Sequence, residues 1–121
     1  MSLKMNIRKV GDVTVVDMSG RIVLGEESAA LRKLVFDLLQ DGHRKIVLNL
    51  GDVDYIDSSG LGHLISAFTS VRKKQGELKL LNLRKNTNDL MQMTKLYTVF
   101  DIKDDEATAV KSFGESSAAS A

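Results

Sequence analysis

The sequence predicts a single layered α/β domain built on a mixed β-sheet, and three features carry that prediction. Two nearly continuous apolar runs, Ile-Val-Leu-Asn-Leu over 46–50 and Leu-Lys-Leu-Leu-Asn-Leu over 78–83, have the character of strands covered on both faces. A segment with helical apolar spacing lies between them, so the two strands are expected to be parallel and joined by a right-handed crossover. The chain opens with a weakly alternating segment and a β-branched, Val-rich one around a Gly-Asp pair, the pattern of a hairpin.

Taken in order, 6–10 and 13–18 form the expected hairpin around Gly11 and Asp12, and Ser19-Gly20 is expected to end it. The first helix is expected over 26–40, because Leu31, Leu34, Val35 and Leu38 repeat at i, i+3, i+4, i+7. Gly42 is placed to cap its end. The strand at 46–50 follows. A second helix over 59–75 would bury Leu61, Leu64, Ile65, Phe68 and then Val71 or Arg72, and Gly76 would stop it. After the strand at 78–83, a third helix is expected over 87–96, with 86–89 as capping residues and Leu90, Met93 and Tyr97 on one face. A short strand at 99–103 and a last helix at 104–112, with Ala107, Val110 and Phe113 inward, complete the order β-β-α-β-α-β-α-β-α. The domain is expected over 4–113. Segment 114–121, small and polar, is expected as a disordered tail.

Composition narrows the function. The 121 residues suffice for one domain, and 43% hydrophobic content gives it a core without staples. There is no cysteine, which excludes disulfides and thiolate metal sites and fits a reducing cytoplasm. No apolar run approaches the roughly 20 residues of a membrane span. A net charge of +1 gives no electrostatic footprint for nucleic acid, and with no Trp a base-stacking platform is not expected. The only histidines, His43 and His63, make a poor metal site, and no cofactor is expected. With no coiled-coil pattern, a monomer is the default.

The informative segment is Asp54-Tyr55-Ile56-Asp57-Ser58-Ser59-Gly60-Leu61-Gly62, where a strand region meets the second helix; Asp57, Ser58, Ser59, Gly60, Leu61, Gly62 and the following His63 are singled out in it. Short polar side chains there accept hydrogen bonds from the free amides of a helix start, so one reading is simply a cap. The other is a modifiable serine. A helix N-terminus tolerates a phosphate, while the added charge changes the surface next to Asp54 and Asp57. Gly60 and Gly62 are poor helix formers, expected to leave backbone open to a partner. Ser59 and His63, four apart, could form a hydrolytic pair, but no Gly-x-Ser-x-Gly elbow accompanies them.

The run 46–50, Val53, and then Ile56 through Asp57, Ser58, Ser59, Gly60, Leu61 and Gly62 resembles the signature of STAS-domain anti-sigma factor antagonists. The resemblance extends to the opening hairpin, to Ser19-Gly20-Arg21-Ile22, to Gly76-Glu77-Leu78 and to 96–102. It implies a regulator, not an enzyme. In such proteins the serine after the motif aspartate, Ser58 here, is phosphorylated by a serine kinase that is also the anti-sigma factor. The unphosphorylated form binds that kinase and frees a sigma factor, and a serine phosphatase resets the switch. Residues 57–63 would form the partner surface of a cytoplasmic protein with no direct nucleic-acid or membrane contact. The alternative that the resemblance leaves open is a STAS subunit of a lipid or anion transport complex, bound to a transporter ATPase without a phosphorylation switch.

Overall fold

The computed structural model describes the backbone of residues 3–23 and 25–120, and the side chains of 3–23, 25 and 29–113. Five strands, β1 (Lys4–Val10), β2 (Val13–Ile22), β3 (Lys45–Ile56), β4 (Glu77–Leu81) and β5 (Asp101–Lys103), form one sheet in the order β1-β2-β3-β4-β5. β1 is antiparallel to β2, and every other neighbour pair is parallel. The helices are α1 (Glu26–Gln40), α2 (Ser58–Lys73), α3 (Lys85–Thr94) and α4 (Glu106–Ser120), with a 3₁₀ turn at Leu96–Thr98 before β5. Both the fold class and the element order agree with the sequence-based expectation.

The strand side chains sort the two faces. Val16, Met18, Ile46, Leu48, Leu50, Leu78 and Leu80 meet Leu31, Val35 and Leu38 of α1, Leu61, Leu64, Ala67 and Val71 of α2, and Met91 of α3 in one large core. Val13, Val15, Val47 and Leu81 point the other way and meet Ala109 and Phe113 of α4 in a smaller one. Alternate residues are therefore buried on opposite sides, which is why the runs at 46–50 in β3 and 78–81 in β4 read as nearly continuous apolar stretches.

The second face also holds a buried charge. Lys79 is 2% exposed, pairs with Asp101, and lies 4.9 Å from the centre of the Phe113 ring. Burial opposes the charge on Asp101, but the bond from Lys79 prevails and holds its carboxyl below the ordinary range. Nearer the solvent edge, Arg8 of β1 donates through Nε to Asp17 of β2 at 2.6 Å and through Nη1 to Glu106 of α4 at 3.1 Å. The two Asn-containing strand ends noted in the sequence meet here too. Asn49 Nδ2 donates to Asp17 Oδ1 at 2.8 Å, and Asn82 Nδ2 donates to Asn49 Oδ1 at 3.3 Å.

Several boundaries differ from expectation, each for a local reason. Ser19-Gly20 does not end the second strand. β2 continues to Ile22 through two register shifts against β3, with Gly20 at φ 107°. β3 likewise runs past Leu50 to Ile56. α3 begins two residues early, after Arg84, without a side-chain cap. Its buried positions are Thr87 and Met91, whereas Met93 and Tyr97 are exposed. Lys95 adopts the left-handed conformation and ends α3, so Leu96 and Tyr97 belong to the 3₁₀ turn and β5 starts later. α4 begins at Glu106 and not at 104, with Asp105 before it accepting from the Thr108 amide at 3.0 Å. Ala109 is buried in place of Ala107. The backbone of α4 continues to Ser120, through most of the segment expected as a tail; Ala121 lies outside the described residues.

The Arg8 bonds hold the carboxyls of Asp17 and Glu106 below their ordinary values. Such groups stabilise the fold above the unfolded carboxylate range, about pH 4, and the contribution is lost as pH falls through the lower folded values. Arg8 and its partners are about a third exposed, so solvent screening limits the effect. Arg8→Ala should cost roughly 1 kcal/mol at pH 7, with the gap to wild type closing near pH 2. Urea denaturation at both pH values checks this; a pH-independent gap would assign the loss to packing.

Candidate functional site

The site begins where β3 ends. Ile56 is buried and fixes the strand, and the chain turns at Asp57, the N-cap of α2. Asp57 Oδ1 accepts the Gly60 amide at 2.7 Å, and the Asp57 amide donates to the Ile22 carbonyl at the end of β2 at 3.2 Å. These two bonds set the entry angle of the helix. Gly60 then packs directly on that carbonyl. A Cβ added at Gly60 would lie 1.9 Å from Ile22 O and 2.6 Å from its carbon. The first turn of α2 therefore sits flush on β2, a contact only glycine permits.

This corrects one expectation. Gly60 is buried and does not leave its backbone open, and Leu61 is also buried, contributing to the core. Gly62 does match the expected openness: it is exposed, and nothing lies within 4 Å of an added Cβ. Ser58 is exposed at the first helical position, while Asp57, Ser59 and His63 are half-buried. Of the seven residues singled out, Ser58 and Gly62 form the outer surface, Asp57, Gly60 and Leu61 anchor it, and Ser59 and His63 lie at its margins. No hydrogen bond joins Ser59 to His63 among the described residues, so the hydrolytic pair is not assembled.

α3 borders the site through contacts invisible in the sequence. Arg84 Nε donates to the Gly51 carbonyl at 2.9 Å, and its guanidinium is 3.3 Å from Asp54. Asn86 Nδ2 donates to the Asp54 carbonyl at 2.7 Å. These bonds hold the start of α3 beside the end of β3. Between α2 and α3 lies an open depression of about 430 Å³, lined by Tyr55, Asp57, Ser58, Leu90 and Met93 among others. Met93 is 80% exposed and Tyr55 44%, with the Arg21 guanidinium 5.1 Å from the Tyr55 ring. Tyr55 lay in the informative segment with no role assigned, and apolar spacing assigned Leu90 and Met93 to the core; Leu90 does pack against the core while also lining the depression, whereas Met93 is exposed. Asp54, Asp57 and Asp89 give this surface acidic character, with Asp54 and Asp89 compensated by Arg84 and Lys85. No group of three or more metal-ligating side chains occurs among the described residues, and none of their helices is long and apolar enough to cross a membrane.

The STAS domain family model matches residues 4–109, and the chain belongs to that family. It is similar to the anti-sigma-B factor antagonist of Bacillus subtilis, with 31% identity over 102 residues, covering 84% of this chain and 92% of that one. Among solved structures, a Thermotoga maritima protein superposes with a TM-score of 0.83 at 26% identity, covering 90% of this chain and 93% of that one. The Bacillus cell fate determinant SpoIIAA in its phosphorylated form superposes with a TM-score of 0.69, covering 89% of this chain and 97% of that one. At 18% identity, that last likeness concerns the fold alone.

The two glycines of the motif should respond to alanine with opposite signs. Gly60→Ala forces a methyl into the Ile22 carbonyl and should cost about 2–3 kcal/mol. Gly62→Ala meets open space on an exposed helix turn and should stabilise by about 0.5–1 kcal/mol. Paired denaturation curves check the contrast; equal effects would mean that α2 does not sit on β2 as described.

Proposed function

We propose that this protein is an anti-sigma factor antagonist that works by partner switching. Its unphosphorylated form binds an anti-sigma factor that is also a serine kinase, and this binding frees a sigma factor. Phosphorylation of Ser58 ends the interaction, and a serine phosphatase restores it. The protein acts in the cytoplasm as a substrate of the kinase and has no catalytic role of its own. Supporting this reading are the likeness to the anti-sigma-B factor antagonist of Bacillus subtilis, at 31% identity, and the phosphorylated form of SpoIIAA, which shares the fold.

The observation that carries the proposal is the placement of Ser58. Its side chain is exposed at the first residue of α2, while Asp57 and Gly60, on either side, pin that turn to β2. A phosphate added there meets the free amides and positive end of the helix dipole, so the domain can carry it without unfolding. The same phosphate brings about −1.5 to −2 charges to a surface already holding Asp54 and Asp57. A partner packed on this turn would have to bury that charge, at a cost of several kcal/mol.

Tandem mass spectrometry after kinase treatment should place a single phosphate on Ser58; phosphate on Ser59 alone would overturn the assignment. Ser58→Asp should leave stability within about 0.5 kcal/mol of wild type and lower partner affinity by about 100-fold or more. Baits of wild type, Ser58→Ala and Ser58→Asp, used against lysate of the source organism, test the partner. A serine kinase retained by the first two and lost by the third supports the switch. Transporter subunits on all three would move the protein to a transport-associated role.

A further inference from the structure

We infer that the kinase contact extends from Ser58 along α2 into the groove between α1 and α2, and that this groove receives an acidic amphipathic helix of the partner. The inference rests on the partner-switch reading above. The groove measures about 600 Å³. α1 contributes Ala29, Arg32, Lys33 and Phe36, spaced i, i+3, i+4, i+7 along one stripe. α2 contributes Ile65, Ser66, Ala67, Thr69 and Ser70. Two apolar side chains stand out of it instead of joining the core: Phe36 is 57% exposed and Ile65 36%. The floor is made of small side chains, which allow a helix to lie close.

Charge selects the occupant. Among the described residues, the groove is lined by two cations and no carboxylate, in a chain whose net charge is only +1. Lys33 is paired with Asp37 at 3.0 Å, but Arg32 has no ion-pair partner among the described residues. A second copy of this chain docked on this groove by a twofold axis would bring two patches together that each carry Arg32 and Lys33 and, among the described residues, no carboxylate. An acidic helix, with an apolar ridge for Phe36 and Ile65 and a carboxylate for Arg32, satisfies both features.

Helical periodicity links the groove to the switch. Ser58, Gly62, Ile65 and Thr69 fall at i, i+4, i+7 and i+11, one line along the outer side of α2. A helix lying in the groove would thus reach the open backbone at Gly62 and end near Ser58, where a phosphate would repel its carboxylates. Ser58 is then the gate of a longer contact.

The test uses the full-length chain and the purified serine kinase recovered with the wild-type bait. Arg32→Glu and Phe36→Glu should each weaken binding at least tenfold with melting temperatures unchanged. Lys111→Glu, the same charge reversal at an exposed position of α4, should stay within twofold, and Arg32→Lys should retain most of the affinity. The Arg32→Glu loss should shrink at high salt. If both groove variants bind as wild type while Ser58→Asp does not, the groove inference fails and the switch stands. If Ser58→Asp also binds as wild type, or no kinase is recovered, the switch fails and the groove inference fails with it. Concentration-dependent dimerisation abolished by Phe36→Glu would instead assign the groove to self-association.

Discussion

The end of β2 and the start of α2 meet at a single carbonyl, that of Ile22, and the rest of the site depends on this meeting. The Asp57 amide bonds to it, and Gly60 lies against it with no room for a methyl group. Because α2 cannot move away without losing the bond, nor closer without a clash, the orientation of its first turn is set. Leu61 and Leu64 continue the constraint by burying the inner face of the helix in the main core. Ser58 inherits its exposure from this arrangement. It is the residue between an anchored cap and an anchored turn, turned outward by the geometry of both.

A switch of this kind requires a base that does not respond to the charge it carries. The sheet supplies that base by burying both faces, α1–α3 on one side and α4 on the other. The second face is held by polar contacts as well as apolar ones: Lys79 under Phe113, and Arg8 bridging β1, β2 and α4. α2 packs on the opposite face of the sheet from α4. On the proposed switch, the conformational cost would therefore be small, and the change would be concentrated in what the surface binds.

Much of this was readable in the sequence wherever the signal was apolar periodicity. α1 matches its expected bounds because four leucine and valine positions define its inner face without competition. The two runs at 46–50 and 78–83 marked interior strands, since only a doubly covered strand is apolar at consecutive positions. The signal failed where backbone geometry or a polar core residue decided the outcome. Gly20 looked like a terminator but sits in a bulge that keeps the strand going. Thr87 occupies a buried position of α3 that hydrophobic counting cannot recognise; of the expected face, Leu90 packs against the core but Met93 and Tyr97 are exposed. Gly60 and Gly62 are indistinguishable as letters. One is required by close packing and the other leaves an opening, a difference set by the neighbouring strand. The serine motif itself was visible, but the contribution of α3 to its surroundings depends on Arg84 and Asn86 reaching back to β3 across more than 30 residues of sequence.

An amide-resolved NMR comparison of the unmodified chain with its stoichiometrically Ser58-phosphorylated form would test whether the platform stays fixed. Chemical-shift changes should be confined to the end of β3, the first two turns of α2 and the adjoining start of α3. Hydrogen-exchange protection in β2–β4 and along the rest of α2 should be unchanged. Widespread shifts through the sheet, or loss of protection along α2, would mean that phosphorylation acts by remodelling the domain and would contradict a switch based on surface charge alone.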